Sequence, residues 1–158
     1  MTPIQLFYVT ISTPDIDRMI AWYTDVLGYQ LFTRKDFPEF NTRIAVMEQA
    51  GFRLELLQQG NAVPISPGRH DPPDHTNIHG LSQFAVLVDD LDAALADLAT
   101  KGVEPVWVKR VDTDLRLSFR FIRDCDGNLI QLVQLMDDAA AHRRDLIAAR
   151  HAAGGPIG

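Results

Sequence analysis

The stretch QFAVLVDDLD at residues 83–92 repeats the pattern of YVTISTPDID at residues 8–17, and this repeat decides the fold. Each stretch alternates apolar and other side chains as a half-buried strand does, and each then reaches an acidic turn that can cap a helix. An amphipathic segment follows in both copies and ends at Gly28 in the first and at Gly102 in the second. The chain is therefore predicted to contain the same strand–helix unit twice.

Three strand candidates follow each helix, so each copy is predicted to be a βαβββ module. The helices are expected to begin after Asp15 and Asp90, where negative charge also stabilises the helix dipole. The candidate strands are 29–34, 42–48 and 52–58 in the first copy and 106–109, 116–123 and 129–135 in the second. The predicted organisation is module one at 5–58, a Pro-rich linker at 59–78 and module two at 79–135, together one domain at 1–136, followed by a C-terminal helix and tail at 137–158.

The amino-acid composition favours a soluble globular protein and argues against nucleic-acid-binding, membrane-spanning and disulfide-bonded proteins. The 158 residues are 46% hydrophobic and 23% charged, which is enough to bury a sizeable core. The net charge of −6 argues against a nucleic-acid partner, and no apolar run is long enough for a membrane helix. The N-terminal residues lack the pattern of a signal peptide, so a cytoplasmic location is expected. Cys125 is the single cysteine, which excludes an intramolecular disulfide.

Several short motifs resemble those of the vicinal oxygen chelate superfamily, which includes glyoxalase I, bleomycin-resistance proteins and extradiol dioxygenases. They are WYTDVLG at 22–28 in the first module, and VDDLD at 88–92 and FIRDCDGNLI at 121–130 in the second. The resemblance covers residues 5 to about 135. It implies an α+β fold in which the two modules form a curved mixed-sheet cup that holds a small organic molecule.

Strand alternation places four polar side chains on the faces opposite the predicted core, at matching places in the two modules: Tyr8, Glu55, Gln83 and Gln131. The resemblance implies that these are the positions at which metal-dependent relatives carry histidine and glutamate ligands. Only Glu55 is a carboxylate here, and amides are weak ligands, so a divalent metal on Glu55, Gln83 and Gln131 would be held weakly. Without a metal, Glu55 would serve as general acid or base, Tyr8 would donate to an oxyanion, and the glutamines would orient carbonyl or hydroxyl groups.

Basic and aromatic residues are predicted to line the ligand site. Arg43, Arg53, Arg116 and Arg120 are expected on faces opposite the apolar strips, where converging guanidinium groups suit a carboxylate or phosphate. Trp107 and either Phe32 or Phe37 are expected to supply aromatic walls. This prediction assumes that the alternating apolar side chains Ile44/Val46, Leu54/Leu56 and Leu117/Phe119 face the hydrophobic core.

Three histidines, His70, His75 and His79, lie in the linker. Loop histidines are usually solvated, and no partner for a metal site is visible around them. His79 is the candidate for ligand binding, because it lies four residues before Gln83 and shares its strand face if the strand extends that far.

Three functions follow from these residues and stay open at this point. The first is a glyoxalase-like lyase or isomerase that transfers a proton next to a carbonyl or hydroxyl group. The second is a non-catalytic binder of a small molecule or antibiotic, and the third is a metal-dependent dioxygenase-like enzyme, which the missing imidazoles disfavour. A homodimer is also expected, because open sheets offer edges, and the cup forms either within one chain or by exchange across the dimer.

Overall fold

The computed structural model describes residues 6–64, 69–136, 141 and 144–145. The chain divides into two compact units, one of residues 1–68 with the turn 124–128 and one of residues 69–123 with 129–158. The predicted C-terminal helix lies outside the described residues, apart from 141 and 144–145. None of the described helices is long and apolar enough to span a membrane.

The first unit carries a four-stranded mixed sheet and one helix. Its elements are β1 (Val9–Ser12), α1 (Ile16–Leu27), β2 (Gln30–Phe37), β3 (Thr42–Gln49) and β4 (Phe52–Gln59). The strand order is β1-β4-β3-β2, with β1 parallel to β4 and the other pairs antiparallel. Helix α1 contacts β2, β3 and β4, so it covers one face of the sheet.

The second unit repeats this arrangement. Its elements are β5 (Phe84–Leu87), α2 (Leu91–Thr100), β6 (Val106–Asp112), β7 (Leu117–Arg123) and β8 (Leu129–Leu135). The strand order is β5-β8-β7-β6, with β5 parallel to β8, and α2 contacts β7 and β8. The prediction of an α+β fold with two tandem βαβββ modules is confirmed.

The first and last strands of each unit pair in the same register in both units. Thr10 of β1 pairs with Glu55 of β4, and in the second unit Ala85 of β5 pairs with Gln131 of β8. Glu55 and Gln131 are therefore structurally equivalent, as their predicted matching positions require.

Both helices begin where the sequence places them. The Asp15 carboxylate accepts a hydrogen bond from the Arg18 amide, and the Asp90 carboxylate accepts one from the Asp92 amide. Such caps satisfy amides that have no partner within the helix. Helix α1 ends at Gly28, whose φ of 74° lies in the left-handed region that glycine adopts without strain.

A glutamine of the last strand anchors the start of the helix in each unit. Gln58 Oε1 accepts a hydrogen bond from the Ile16 amide at 3.0 Å, and Gln134 Oε1 accepts one from the Leu91 amide at 2.9 Å. These bonds identify the helix-covered face of each sheet, because residues that pair with Gln58 and Gln134 share their face.

The helix-covered face of β3 differs from the one predicted. Fully buried side chains on β3 and β4 are Ala45, Met47, Leu54 and Leu56. The prediction that Ile44 and Val46 belong to the core strip is wrong, because Val46 pairs with Glu55 and Ile44 with Leu57, on the face away from the helix. Both faces of β3 carry apolar side chains, so alternation alone does not say which one meets the helix.

The same error occurs in β7. Ser118 pairs with Gln134, and Ile122, which is fully buried, pairs with Ile130. The helix-covered face therefore carries the even-numbered residues of β7. The prediction that Leu117 and Phe119 form the core strip is wrong.

The turn between β7 and β8 belongs to the first unit. Asp124, which is 5% exposed, accepts hydrogen bonds from the Asn128 amide at 2.9 Å and from the Tyr23 hydroxyl of α1 at 3.0 Å. Asp126 pairs with Arg18 of α1 and accepts a hydrogen bond from the Thr13 hydroxyl. Burial and the charge of Asp124 raise the pKa of Tyr23, so its hydroxyl stays protonated as a donor.

Candidate functional site

Glu55 lies in the middle of β4 on the face of its sheet opposite α1, which is the uncovered face of the first unit because α1 does not pack on it. It is half-buried, and its Oε2 accepts a hydrogen bond from the Thr10 hydroxyl of β1 at 2.7 Å. Glu55 forms no ion pair with any described residue. One carboxylate oxygen is thus held by a hydroxyl donor, while no described cation is paired with the group.

Tyr8 precedes β1 and is 36% exposed. Its ring lies 5.2 Å from the ring of Phe7, measured between centroids. No hydrogen bond joins Tyr8 to Glu55 in the described part of the chain. The structure thus keeps the two predicted residues in one unit without bringing them into direct contact.

Arg53 lies two residues before Glu55 on the same face of β4. Its guanidinium carbon is 5.0 Å from the Phe7 ring centroid and 4.4 Å from that of Phe32, and its Nε donates to Glu48 Oε2 at 2.7 Å. Both rings are largely exposed, at 62% for Phe7 and 59% for Phe32. A surface depression lined in part by Phe32 and Glu48 adjoins this cluster. The two rings orient the guanidinium group, and its terminal nitrogens have no protein partner among the described residues.

Arg43 and Arg120 do not lie where the sequence placed them. Arg43 pairs with Gln58 on the helix-covered face, and its Nη2 donates to Asp17 of α1 at 3.1 Å. Arg120 pairs with Leu132, again on the helix-covered face, and its Nε donates to a main-chain carbonyl at 3.0 Å. The predicted convergence of Arg43 and Arg120 with Arg53 is wrong, because it relied on the misassigned faces of β3 and β7.

Gln131 lies on the face of the second sheet opposite α2, which is the uncovered face of the second unit because α2 does not pack on it. It pairs with Ala85 of β5 on one side and with Phe121 of β7 on the other. Gln83 directly precedes β5 and continues the same face by alternation. Its Oε1 is buried and accepts no hydrogen bond from any described residue. Both predicted glutamines therefore lie on one face of the second sheet.

Trp107 lies at an irregularity in β6. Its φ is 69°, a left-handed conformation that is unusual for a large side chain, and the pairing register of β6 with β7 shifts between Val106 and Arg110. The Trp107 ring centroid is 6.3 Å from that of Phe121, so it belongs to the aromatic group beside Gln131. A bulge that turns a side chain in this way fits the predicted role as an aromatic wall.

His75 is a buried linker histidine that the sequence analysis did not single out. It lies in the 3₁₀ turn Asp74–Asn77, is 6% exposed, and its ring centroid is 5.2 Å from that of Phe121. His79, which the sequence favoured, is exposed. Neither periodicity nor spacing distinguishes His75 from the other linker histidines, because its burial depends on contacts with a strand 46 residues away.

The residues at the four matched positions do not fit a resident divalent metal. They offer one carboxylate, two neutral amides and one phenol, whereas hard divalent ions prefer several carboxylates and softer ones prefer imidazole. Glu55 Oε2 already accepts a hydrogen bond from Thr10. Across the described residues, no three His, Cys, Asp or Glu side chains are grouped so that they could hold a metal. The chemistry considered below therefore uses the protein's own side chains.

Comparisons with known proteins agree with this architecture. The family model described as "Glyoxalase/Bleomycin resistance protein/Dioxygenase superfamily" matches residues 5–132. Human mitochondrial methylmalonyl-CoA epimerase is 26% identical over 133 residues, which is 82% of this chain and 73% of the relative.

Two solved structures share the fold. A glyoxalase family protein from Enterococcus faecalis has a TM-score of 0.69 at 22% identity, over 85% of this chain and all of the other. Glyoxalase I from Leishmania major, described as trypanothione-dependent, has a TM-score of 0.62 at 20% identity, over 96% of this chain and all of the other. These structures share the fold, and the family match over residues 5–132 shows that the chain belongs to the glyoxalase/bleomycin-resistance/dioxygenase superfamily.

Proposed function

We propose that this protein is a glyoxalase-like enzyme of the lyase or isomerase type, which transfers a proton next to a carbonyl or hydroxyl group without a resident metal. The observation that carries this proposal is the state of Glu55: a half-buried carboxylate, oriented by the Thr10 hydroxyl at 2.7 Å and paired with no described cation. A carboxylate with one oxygen held by a hydroxyl donor and the other available is suited to accept a proton from a bound substrate. The name of the epimerase relative is consistent with proton transfer at carbon.

Arg53 would bind the anionic part of the substrate. Its terminal nitrogens are available, and Phe7 and Phe32 hold the guanidinium plane in place. Residues two apart on a strand are about 6.6 Å apart at their backbones, so a carboxylate or phosphate bound at Arg53 would lie a few bonds from the carbon facing Glu55. We therefore propose a small anionic organic substrate.

Tyr8 would support this reaction through a hydrogen bond in the first unit, and Gln83 and Gln131 would bind ligand through hydrogen bonds in the second. The Tyr8 hydroxyl is a donor suited to an oxyanion, and the two glutamines offer amide donors and acceptors on the uncovered face of the second unit.

We also propose that the protein is a homodimer and that it is located in the cytoplasm. The exposed edge strand β2 supports association, which sedimentation of the purified protein would test.

The proposed chemistry can be tested by hydrogen exchange. Purified protein is incubated in D₂O with a panel of 2-hydroxy and 2-oxo acids and their thioesters, and loss of the signal of the hydrogen next to the carbonyl is followed by NMR. Glu55→Gln should slow exchange by about 10²–10⁴-fold while leaving substrate affinity nearly intact. Glu39→Gln, at an exposed position in the turn Pro38–Phe40, is the matched control and should exchange at the wild-type rate.

Two outcomes would contradict the proposal. If Glu55→Gln keeps the wild-type rate, then Glu55 is not the acid–base group. If dialysis against EDTA abolishes exchange and a divalent metal restores it, then the reaction needs a metal despite the poor donor set.

The second candidate function is non-catalytic binding of an aromatic small molecule. The observation that favours it is the pair of exposed rings, Phe7 and Phe32, whose centroids lie 5.0 Å and 4.4 Å from the Arg53 guanidinium carbon. A binder would show a rise in melting temperature with a planar anionic compound, loss of that rise in Phe32→Leu, and no exchange with any member of the panel.

A further inference from the structure

An ion pair between Glu48 and Arg53 joins two neighbouring strands on the uncovered face of the first unit. Glu48 of β3 is the cross-strand partner of Arg53 of β4, and its Oε2 accepts a hydrogen bond from Arg53 Nε at 2.7 Å. The side chain of Glu48 is 37% exposed and that of Arg53 is 21% exposed, so water and salt screen the pair only in part. The negative charge of Glu48 therefore acts on any group that binds at Arg53.

The contact with Glu48 leaves one edge of the guanidinium group available. Arginine carries five N–H donors in a planar fork, and its two terminal nitrogens match the two oxygens of a carboxylate. In Arg53 the Nε–H group is used by Glu48, while the terminal nitrogens have no partner among the described residues. The rings of Phe7 and Phe32 lie 5.0 Å and 4.4 Å from the guanidinium carbon and limit its rotation. A bound anion would therefore meet the edge that Glu48 does not occupy.

The charges around Arg53 suit a ligand group with one negative charge better than a group with two. Glu48 already balances the charge of Arg53, so a bound monoanion leaves the cluster with one excess negative charge and a dianion leaves it with two. Among the described residues that line the adjoining surface depression, none is basic. The second charge of a dianion would therefore be repelled by Glu48 without gaining a further cation.

The other cations in the described part of the first unit lie away from Arg53. Three of them are paired with aspartates: Arg18, Arg34 and Arg43. Lys35 is on the uncovered face, but it is level with Leu57, four residues along β4 from Arg53. A phosphate at Arg53 would meet one guanidinium group with a carboxylate beside it, whereas clusters of cations or of backbone N–H groups favour phosphate binding.

We propose that Glu48 is a specificity-determining residue, whose charge makes Arg53 select a carboxylate with one negative charge and reject a phosphate with two. The substrate is then a carboxylic acid whose reacting carbon lies close to its carboxylate, because Glu55 follows Arg53 by two residues on the same face of β4. The exposed rings of Phe7 and Phe32 contact the apolar part of this acid. The assignment rests on the proposed function for the site at Arg53, and it adds a residue and a narrower substrate class to it.

Three probes that share a phenyl ring separate charge from shape: phenylacetate, phenylmethanesulfonate and phenyl phosphate. At pH 8 the first two carry one negative charge, and the phosphate ester, which loses its second proton near pH 6, carries about two. The sulfonate combines the tetrahedral geometry of a phosphate with the charge of a carboxylate. Isothermal titration calorimetry measures the three dissociation constants. Wild type should bind the first two probes with similar affinity and phenyl phosphate about 10-fold more weakly.

The decisive variant is Glu48→Gln, which removes the charge and keeps an oxygen that can accept from Arg53 Nε. Relative to phenylacetate, it should bind phenyl phosphate about 10-fold more tightly than wild type does, because two unit charges about 6–7 Å apart near a protein surface change an affinity by at least that factor. Glu48→Thr, with a side chain suited to a strand, should shift the ratio of the two dissociation constants in the same direction. Glu39→Gln, the same change in an exposed turn, is the matched control and should keep the wild-type ratio.

Four results would overturn the proposal: no binding of any probe by wild type, binding of phenyl phosphate at least as tight as that of phenylacetate, an unchanged ratio in both Glu48 variants, or wild-type binding of the probes by Arg53→Gln. Glu55→Gln separates this proposal from the proposed function. If Glu55→Gln keeps the wild-type exchange rate while Glu48→Gln changes the ratio, only the acid–base assignment fails. If Glu55→Gln loses exchange while Glu48→Gln keeps the ratio, only the role of Glu48 fails.

Discussion

Asp124 provides the sharpest test of how the first unit is held together. Its buried carboxylate accepts four hydrogen bonds: from the Tyr23 hydroxyl at 3.0 Å, the Asp126 amide at 2.9 Å, the Asn128 amide at 2.9 Å and Asn128 Nδ2 at 2.8 Å. The bond to Tyr23 is fully buried, and the other three are partly buried. Asp124→Ala would leave all four donors without their acceptor.

The decrease in the free energy of unfolding expected for Asp124→Ala follows from these four hydrogen bonds. A hydrogen bond to a charged group contributes about 1.5–3 kcal/mol when buried, and about 1 kcal/mol is reasonable for each donor that water can reach again. Asp124→Ala should therefore lower the free energy of unfolding by about 5 kcal/mol, a large share of the 5–15 kcal/mol typical of a folded domain. Tyr23→Phe removes only the buried bond and should cost about 2 kcal/mol.

Urea unfolding followed by circular dichroism measures these losses. The double variant gives the coupling between Tyr23 and Asp124, which should be about 2 kcal/mol. Asp25→Ala, at an exposed position of α1, is the control and should change stability by less than about 0.5 kcal/mol. A loss below about 2 kcal/mol for Asp124→Ala, or a coupling near zero, would refute the reasoning.

Three further outcomes are expected. Gln58→Leu and Gln134→Leu should each cost about 1 kcal/mol in urea unfolding, because each leaves a helix-start amide unpaired; a loss in only one would contradict the equivalence of the two modules. Burial raises the pKa of Tyr29 to about 12. As the pH rises, the unfolded chain therefore loses this proton before the folded chain does, and the free energy of unfolding should fall between about pH 10 and 12. Tyr29→Phe should reduce that fall, and an unchanged slope in this variant would contradict the assignment to Tyr29. Burial, followed by the charges of Asp126 and Asp124, raises the pKa of the Cys125 thiol. Iodoacetamide at pH 8 should therefore alkylate Cys125 more slowly than free cysteine, and equal rates would be inconsistent with this environment.

The candidate site was only partly predictable from the sequence. Glu55, Gln83 and Gln131 lie on the uncovered faces as alternation predicted, since a strand period of two is a property of the backbone. The phase of that alternation was not readable in β3, because both of its faces are apolar, and it was misleading in β7, because the helix-covered face there carries Ser118 and Arg120 beside Ile122. The sequence analysis therefore predicted Arg43 and Arg120 on the wrong faces of their sheets. In the structure, Arg53 is the only one of these three arginines on the face of Glu55.

The sequence by itself determined what depends on local chemistry: the duplicated βαβββ order, the caps at Asp15 and Asp90, and a set of side chains at the four matched positions that suits a metal poorly. The tertiary structure alone decided what depends on contacts between distant residues. Strand pairing selected the helix-covered faces, the turn at Asp124 joined the first unit through Tyr23, and packing against Phe121 buried His75. The contacts of Asp124 with Tyr23 and of His75 with Phe121 join residues 101 and 46 positions apart, and no local pattern of hydrophobicity or propensity encodes them.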